Sequence, residues 1–248
     1  MAEILLVSKV SKAFGSLLAV KDVSFEVGKG EVFGIAGPNG AGKTTLFNLV
    51  TGIPFGADSG KIEFEGRRID KLSPDKIYRA GISRTFQQEI AFDSLTVEES
   101  LDISSHYSNF KISKEEKKIS IDNSLSLLGL SGLRKTISRN LPFFEKKKLM
   151  LATAICGKPK LLMLDEPAAG LSQQERVKLI EIISTLKENG LTIIIIEHVL
   201  PILFGVSDRI MVMDSGMVLA IGTPSEIRKN ELVIEAYLGS RSTRTKIS

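Results

Sequence analysis

The chain has 248 residues, 43% apolar and 25% charged, which fits one large domain, or one domain with an inserted lobe, and excludes general disorder. Lys plus Arg total 33 against 29 for Asp plus Glu; the net charge of +4 suits a phosphate ligand or an anionic membrane face and is too small to argue for nucleic acid. One cysteine, Cys156, excludes an internal disulfide framework and a multi-cysteine metal site, and two histidines, His106 and His198, argue against a histidine-rich metal centre.

The opening MAEILLVSKV carries Glu3 and Lys9 and lacks a long apolar core, so it does not read as a secretory signal. Ile4 to Val10 and Val23 to Val27 are expected as strands, and Glu31 to Ala36 as a buried strand ending in a Gly-rich loop. Thr44 to Thr51 reads as a helix, Lys61 to Phe64 as a strand, Pro74 to Ala80 as a short helix and Ile82 to Phe86 as a strand. From Thr96 through about Cys156 the composition turns to Ser, Lys and Glu at helical spacing, which predicts a helical insertion. Thr96 and Glu99 fit a capping box at its start. Its KISKEEKKIS run reads as a solvated helix face, with an acidic partner as the alternative.

A strict α/β rhythm follows. Lys160 to Asp165 and Leu191 to Glu197 are buried strands around a helix over Gln173 to Asn189. The latter strand's apolar run, Leu191 to Ile196, is closed by Glu197 and His198, far short of the roughly 18 residues of a membrane span. Val199 to Phe204 is expected to be helical with Gly205 as its stop. Arg209 to Asp214 and Met217 to Ile221 flank Ser215-Gly216, a hairpin turn. The polar tail from Arg241 is expected to fray. The alternation implies a mainly parallel, helix-covered sheet. With neither a secretory signal nor a membrane span in its pattern, the chain is expected to be cytosolic, with docking on something apolar open to it.

Gly37-Pro38-Asn39-Gly40-Ala41-Gly42-Lys43-Thr44 fits the phosphate-loop pattern in full, between a strand and a helix. Glycines let the backbone wrap closely, so successive N–H groups point at phosphate oxygens, and the following helix adds its positive end. Lys43 is expected to neutralise the β and γ phosphates and the Thr44 hydroxyl to bind Mg²⁺. The apolar run Leu161 to Leu164 delivers Asp165 and Glu166 to a strand's C-terminal end, where open α/β sheets bind ligands. Asp165 is expected in the Mg²⁺ shell and Glu166 as the general base toward a water.

These residues resemble the nucleotide-binding subunit of an ATP-binding-cassette transporter over nearly the whole chain. GPNGAGKTT, through Thr45, looks like the family's Walker A, and LLMLDEP its Walker B. Thr85-Phe86-Gln87 resembles the Q-loop, implying that Gln87 senses Mg²⁺ and water. Ala168 to Ser172 resembles the D-loop, and Ile196-Glu197-His198 the H-switch, with His198 on the γ-phosphate. Phe14 stands where the family stacks an aromatic on adenine. GISRTFQ, DEPAAGLS, IEHVLPILFGVSDRI and IGTPSEIRKNELVIEAYLG look like the branched-chain amino-acid importer ATPases, with urea or lipopolysaccharide transporters as related alternatives.

The resemblance implies a P-loop NTPase core with an N-terminal antiparallel region and a helical subdomain. It divides the chain into a core of 1–87 and 157–240, a helical part of 88–156 and a tail of 241–248. It implies ATP and Mg²⁺ as ligands, transmembrane permease subunits as partners, no nucleic acid, and a place on the inner face of the cell membrane.

One departure stands out. Where the family carries L-S-G-G-Q, this chain has Leu141-Pro142-Phe143-Phe144-Glu145. Proline has neither hydroxyl nor N–H, two phenylalanines replace glycines, and Glu145 adds a carboxylate near a polyanion. Branched-chain relatives vary here too, which makes Phe144 the sharper change. Since each ATP in the family sits between one subunit's phosphate loop and the other's signature, this favours a heterodimer with a second ATPase subunit. A non-hydrolysing regulatory subunit is the alternative. Val199 also replaces the Asp usual after the switch histidine.

Overall fold

A computed structural model of the protein describes residues 2–86, 93–106 and 113–242. Strands β1 (Glu3–Phe14) and β2 (Leu17–Gly28) form a hairpin much longer than the two strands expected. Pairing continues out to Lys12↔Val20, Ala13↔Leu18 and Phe14↔Leu17, but register shifts interrupt it, so the apolar alternation that marks a strand breaks there. β1 pairs antiparallel with β4 (Ser59–Phe64), which adds a two-residue β5 (Arg67–Arg68) that the sequence did not suggest.

A second sheet contains β3 (Val32–Ala36), β6 (Ile82–Arg84), β7 (Leu161–Asp165), β8 (Thr192–Ile196), β9 (Arg209–Asp214) and β10 (Met217–Gly222). Its order is β10-β9-β3-β8-β7-β6. Only the β9–β10 hairpin is antiparallel among the described pairings. Side chains alternate between two cores. Phe33, Ile35, Met163, Ile194 and Ile196 face the antiparallel sheet, while Leu162, Leu164, Ile193 and Ile195 face a helical layer. Burial on both faces is why these strands read as continuous apolar runs. Each fully buried Ile or Leu contributes about 1.5–3 kcal/mol.

The helices are α1 (Lys43–Thr51), α2 (Pro74–Ala80), α3 (Val97–His106), α4 (Lys114–Leu127), α5 (Phe143–Cys156), α6 (Gln173–Glu188), α7 (Leu200–Val206), α8 (Pro224–Lys229) and α9 (Glu231–Ser242). α3, α4 and α5 pack on one another in the stretch where helices were expected. Its first helix carries the expected cap: the Thr96 N–H donates to Glu99 Oε2 at 2.8 Å and the Glu99 N–H to Thr96 Oγ1 at 3.2 Å. The described part of the KISKEEKKIS run is mostly exposed, with Lys117 paired to Asp102 at 2.8 Å, as a solvated helix face requires.

Three expectations need correction. β6 stops at Arg84, although the Thr85 N–H still donates to the Met163 carbonyl at 2.9 Å. α7 passes through Gly205 to Val206 because Gly205 is an ordinary helical position there, 3.8 Å from Ile180 Cδ1 for any added Cβ. α8 and α9 were not foreseen, and α9 reaches Ser242, past the expected start of the tail.

Candidate active site

The phosphate loop leaves the end of β3 and enters α1 through Gly42, whose φ of +95° is a left-handed conformation. A Cβ on Gly42 would lie 2.3 Å from the Ala19 carbonyl oxygen, so β2 packs directly against the loop. The Ser215-Gly216 turn closes the other side: the Gly216 N–H donates to the Ala41 carbonyl at 3.1 Å, and the Lys21 N–H to the Gly216 carbonyl at 2.8 Å. The loop is therefore clamped between two hairpins.

Lys43 is 6% exposed. Its Nζ donates to the Gly37 and Pro38 carbonyls at 2.8 and 2.9 Å, drawing the loop into a ring around the ammonium. Those bonds use two of the three ammonium donors. Burial lowers the Lys43 pKa, and the nearby carboxylates of Glu166 and Asp165 pull it back up.

Asp165 ends β7 and is 3% exposed. The Arg84 guanidinium, 81 residues earlier in the chain, donates through Nη2 to Asp165 Oδ2 at 2.7 Å. Its Nη1 donates to Asn48 Oδ1 at 2.7 Å and Thr51 Oγ1 at 3.3 Å on α1, and its plane lies 5.4 and 5.0 Å from the rings of Phe47 and Phe86. Arg84 thus ties the phosphate-loop helix, β6 and the β7 carboxylate together. Arg84 lies within GISRTFQ without an expected role; a cation two positions from both Ile82 and Phe86 at a strand end was the available signal.

Glu166 follows Asp165 at a φ of +49°, a left-handed conformation unusual for a side-chain-bearing residue. This turns the chain out of the sheet and presents the carboxylate to the cavity. His198, half exposed at the end of β8, brings Nδ1 to 3.6 Å from Glu166 Oε2. Glu197, beside it, is fully buried, and its Oε1 accepts the Ala168 N–H at 2.7 Å. Nothing in the sequence pattern around Glu197 had marked it out either.

A cavity of about 820 Å³ gathers most of the expected residues: Phe14, Asn39, Gly40, Ala41, Gly42, Lys43, Thr44, Thr45, Glu166 and His198 line it, with Leu17, Leu18, Ala19, Ser215 and Gly216. Gly37, Pro38 and Asp165 do not line it. Phe14 is 43% exposed and packs edge-to-face on Phe55, ring centres 4.9 Å apart. Gln87 lies outside the described residues. The C-terminal helix also reaches the loop. The Tyr237 hydroxyl is sealed from solvent; burial raises the phenol pKa, and the Gly37 backbone amide beside it lowers it again.

The altered segment at the start of α5 presents Pro142 as an N-cap with φ −56° and ψ 159°, without an N–H to offer. Phe143 is 44% exposed and lies over Gly170, where an added Cβ would sit 2.8 Å from the ring. Phe144 is buried under Lys148, and Glu145 pairs with Lys148 at 3.5 Å. The described residues of this surface are thus an aromatic ring and an ion pair rather than bare backbone.

Residues 20–169 match the family model described as ABC transporter, and residues 217–242 match that of the branched-chain amino acid ATP-binding cassette transporter. The chain is 38% identical to the high-affinity branched-chain amino acid transport ATP-binding protein LivG of Salmonella typhimurium, covering 95% of this chain and 98% of that protein. It is 37% identical to BraF, a protein of the same description from Pseudomonas aeruginosa, with the same coverage of both chains. The crystal structure of an ATP-binding cassette of an ABC transporter in its ADP conformation superposes with a TM-score of 0.87, at 32% identity over 96% of this chain and 100% of that one. No described helix is long and apolar enough to cross a membrane. The chain belongs to the ABC transporter family, among its branched-chain amino acid transport ATP-binding proteins.

Proposed function

We propose that this chain hydrolyses ATP to drive uptake of branched-chain, hydrophobic amino acids. In this reading it is one of two different ATPase subunits docked on permease subunits at the cytoplasmic face of the cell membrane. The observation that carries the reading is that loop amides, an ammonium, a carboxylate and an imidazole line one cavity. The cargo follows the printed names of the relatives, since amino-acid selection belongs to other subunits. Our division of the chain assigns 1–87 and 157–240 to the nucleotide core, 88–156 to the helical part and 241–248 to the tail.

The loop residues from Gly37 to Thr45 cradle the nucleotide's phosphates while Phe14 stacks on adenine. Lys43 meets the β and γ phosphates. A water attacks the γ-phosphorus and gives its proton to Glu166; the bond from that phosphorus to the bridging oxygen breaks, and ADP leaves with the bridging oxygen. His198 holds a γ-phosphate oxygen and Gln87 orients the water. Catalysis is mainly positioning and charge stabilisation.

The residues present also suit Mg²⁺. Asp165 Oδ1 is buried without a hydrogen-bond partner among the described residues, and Thr44 adds a hydroxyl. No cluster of three or more His, Cys, Asp or Glu competes as a cage among the described residues, which matches a hard cation held by one carboxylate, a hydroxyl, phosphates and water. When bound, the ion neutralises charge on the β and γ phosphates.

The aromatic face at Phe143 argues for the heterodimer: a partner's phosphate meets no small-residue backbone there. Titration calorimetry with MgATP tests nucleotide uptake, and absence of heat from the folded chain refutes it. Turnover measured with and without the second ATPase subunit tests the pairing. Equal rates from the chain alone and from the mixture would refute the heterodimer.

A further inference from the structure

Two hydrogen bonds cross between the ends of β7 and β8. The Glu166 N–H donates to the Ile196 carbonyl at 3.0 Å, and the Ala168 N–H donates to the Glu197 side chain at 2.7 Å. The first is an extension of the sheet. The second is made by a carboxyl with no exposed surface, in a position where an apolar residue would fit the strand. We propose that Glu197 is a positioning residue that latches the turn after Glu166 to the strand carrying His198, and so sets the Glu166–His198 geometry. This rests on the ATPase reading above and goes beyond it by assigning a role to a group that need not touch the nucleotide.

The physical reasons are local. Glu166 sits in a left-handed conformation that its own side chain disfavours, so the turn needs an outside hold. Within the turn, the Ala169 N–H bonds back to the Glu166 carbonyl at 3.1 Å and the Leu171 N–H to the Ala168 carbonyl at 3.2 Å. The Ala168 N–H, on a residue with no exposed surface, is satisfied only by Glu197 among the described residues. Glu197 in turn is anchored by its own N–H to the Ile35 carbonyl at 3.3 Å, on the strand that leads into the phosphate loop. Its neighbour in sequence is His198, 3.6 Å from Glu166. One side chain thus joins the phosphate-loop strand, the histidine and the turn after the base.

The charge state follows from the surroundings. Burial pushes the Glu197 carboxyl up, Glu166 pushes in the same direction, and the Ala168 and Val199 amides and His198 draw it down. A neutral carboxyl still accepts the Ala168 N–H through its carbonyl oxygen, though more weakly than a carboxylate does, and a glutamine amide has the same shape and the same neutral acceptor.

The test compares Glu197→Gln and Glu197→Ala in the full chain. Hydrogen exchange over residues 166–172 reads the latch directly, and turnover with the partner subunit reads its consequence. The Ala variant is expected to exchange at least about tenfold faster in 166–172 and to lose at least about tenfold in kcat, with MgATP affinity within about twofold of the parent. The Gln variant is expected to match the parent in all three. Parental exchange and kcat in the Ala variant overturn the proposal. A folded Gln variant with fast exchange and low kcat also overturns it, and decides the matter if the Ala variant does not fold. If the parent itself shows no turnover, the ATPase reading fails while the exchange comparison still tests the latch.

Discussion

Replacing Arg84 with methionine strands Asp165 as a buried charge beside the phosphate loop. Both side chains are at most 5% exposed, and their contact is 2.7 Å. Removing one partner of such a pair costs about 3–5 kcal/mol, because the remaining charge keeps its desolvation penalty. The Asn48 acceptor loses its guanidinium donor as well, for roughly 1 kcal/mol more where it is not rehydrated. In a chain of this size each kcal/mol corresponds to about 2–4 °C, so the pair alone predicts a melting temperature lower by roughly 6–20 °C. Urea unfolding of the purified chain, followed by far-UV circular dichroism, measures the change directly. Arg84→Met combined with Asp165→Asn removes both charges, and the double variant is expected to be more stable than the sum of the singles by more than about 1 kcal/mol. A loss below about 1 kcal/mol in Arg84→Met, or strict additivity in the cycle, would refute the claim that Arg84 holds Asp165 in place.

The remaining predictions concern chemistry, pH and assembly. Glu166→Gln is expected to bind MgATP like the parent and to lower phosphate release by about 100-fold or more; an unchanged rate would remove Glu166 as general base. The raised pKa of Glu197 means that the folded chain holds this proton more tightly than the unfolded chain does, so its contribution favours folding at low pH. That contribution is lost as pH rises from the ordinary glutamate value near 4.5 through the folded value. The stability of Glu197→Gln relative to the parent should therefore improve across that interval, as denaturant melts at a series of pH values would reveal. Restoring Ser, Gly, Gly and Gln at Pro142, Phe143, Phe144 and Glu145 in a Glu166→Gln background should produce ATP-dependent self-association on size exclusion. A variant that stays monomeric with ATP would show that this segment is not what limits homodimers.

What was legible in the sequence was whatever depends on short, fixed spacings. The phosphate loop, α2 at Pro74–Ala80 and the strands around Asp165 and Ile196 were readable because turn chemistry or double-sided burial leaves a local trace. α8 carried a trace that went unread. Thr223-Pro224-Ser225-Glu226 holds an N-cap, a proline at the first helical position and a reciprocal glutamate, whose Oε2 accepts the Thr223 N–H at 2.7 Å. The outer half of the β1–β2 hairpin was hidden by its register shifts. Arg84 and Glu197 were hidden for a different reason: their partners lie 81 and 29 positions away, and only the parallel sheet brings them together.

Tyr237 gives the end of the chain a stake in the nucleotide loop. Because its partly buried side chain packs against the core on the helical side of the parallel sheet and its hydroxyl lies beside the backbone of Gly37, α9 is placed to brace the first residue of the cradle. A fusion or purification tag appended behind Ser242 leaves that brace standing, whereas trimming the protein back to the end of β10 would remove it. Deletion mapping from this terminus would then register as weakened nucleotide retention, even though none of the amputated residues lines the cavity.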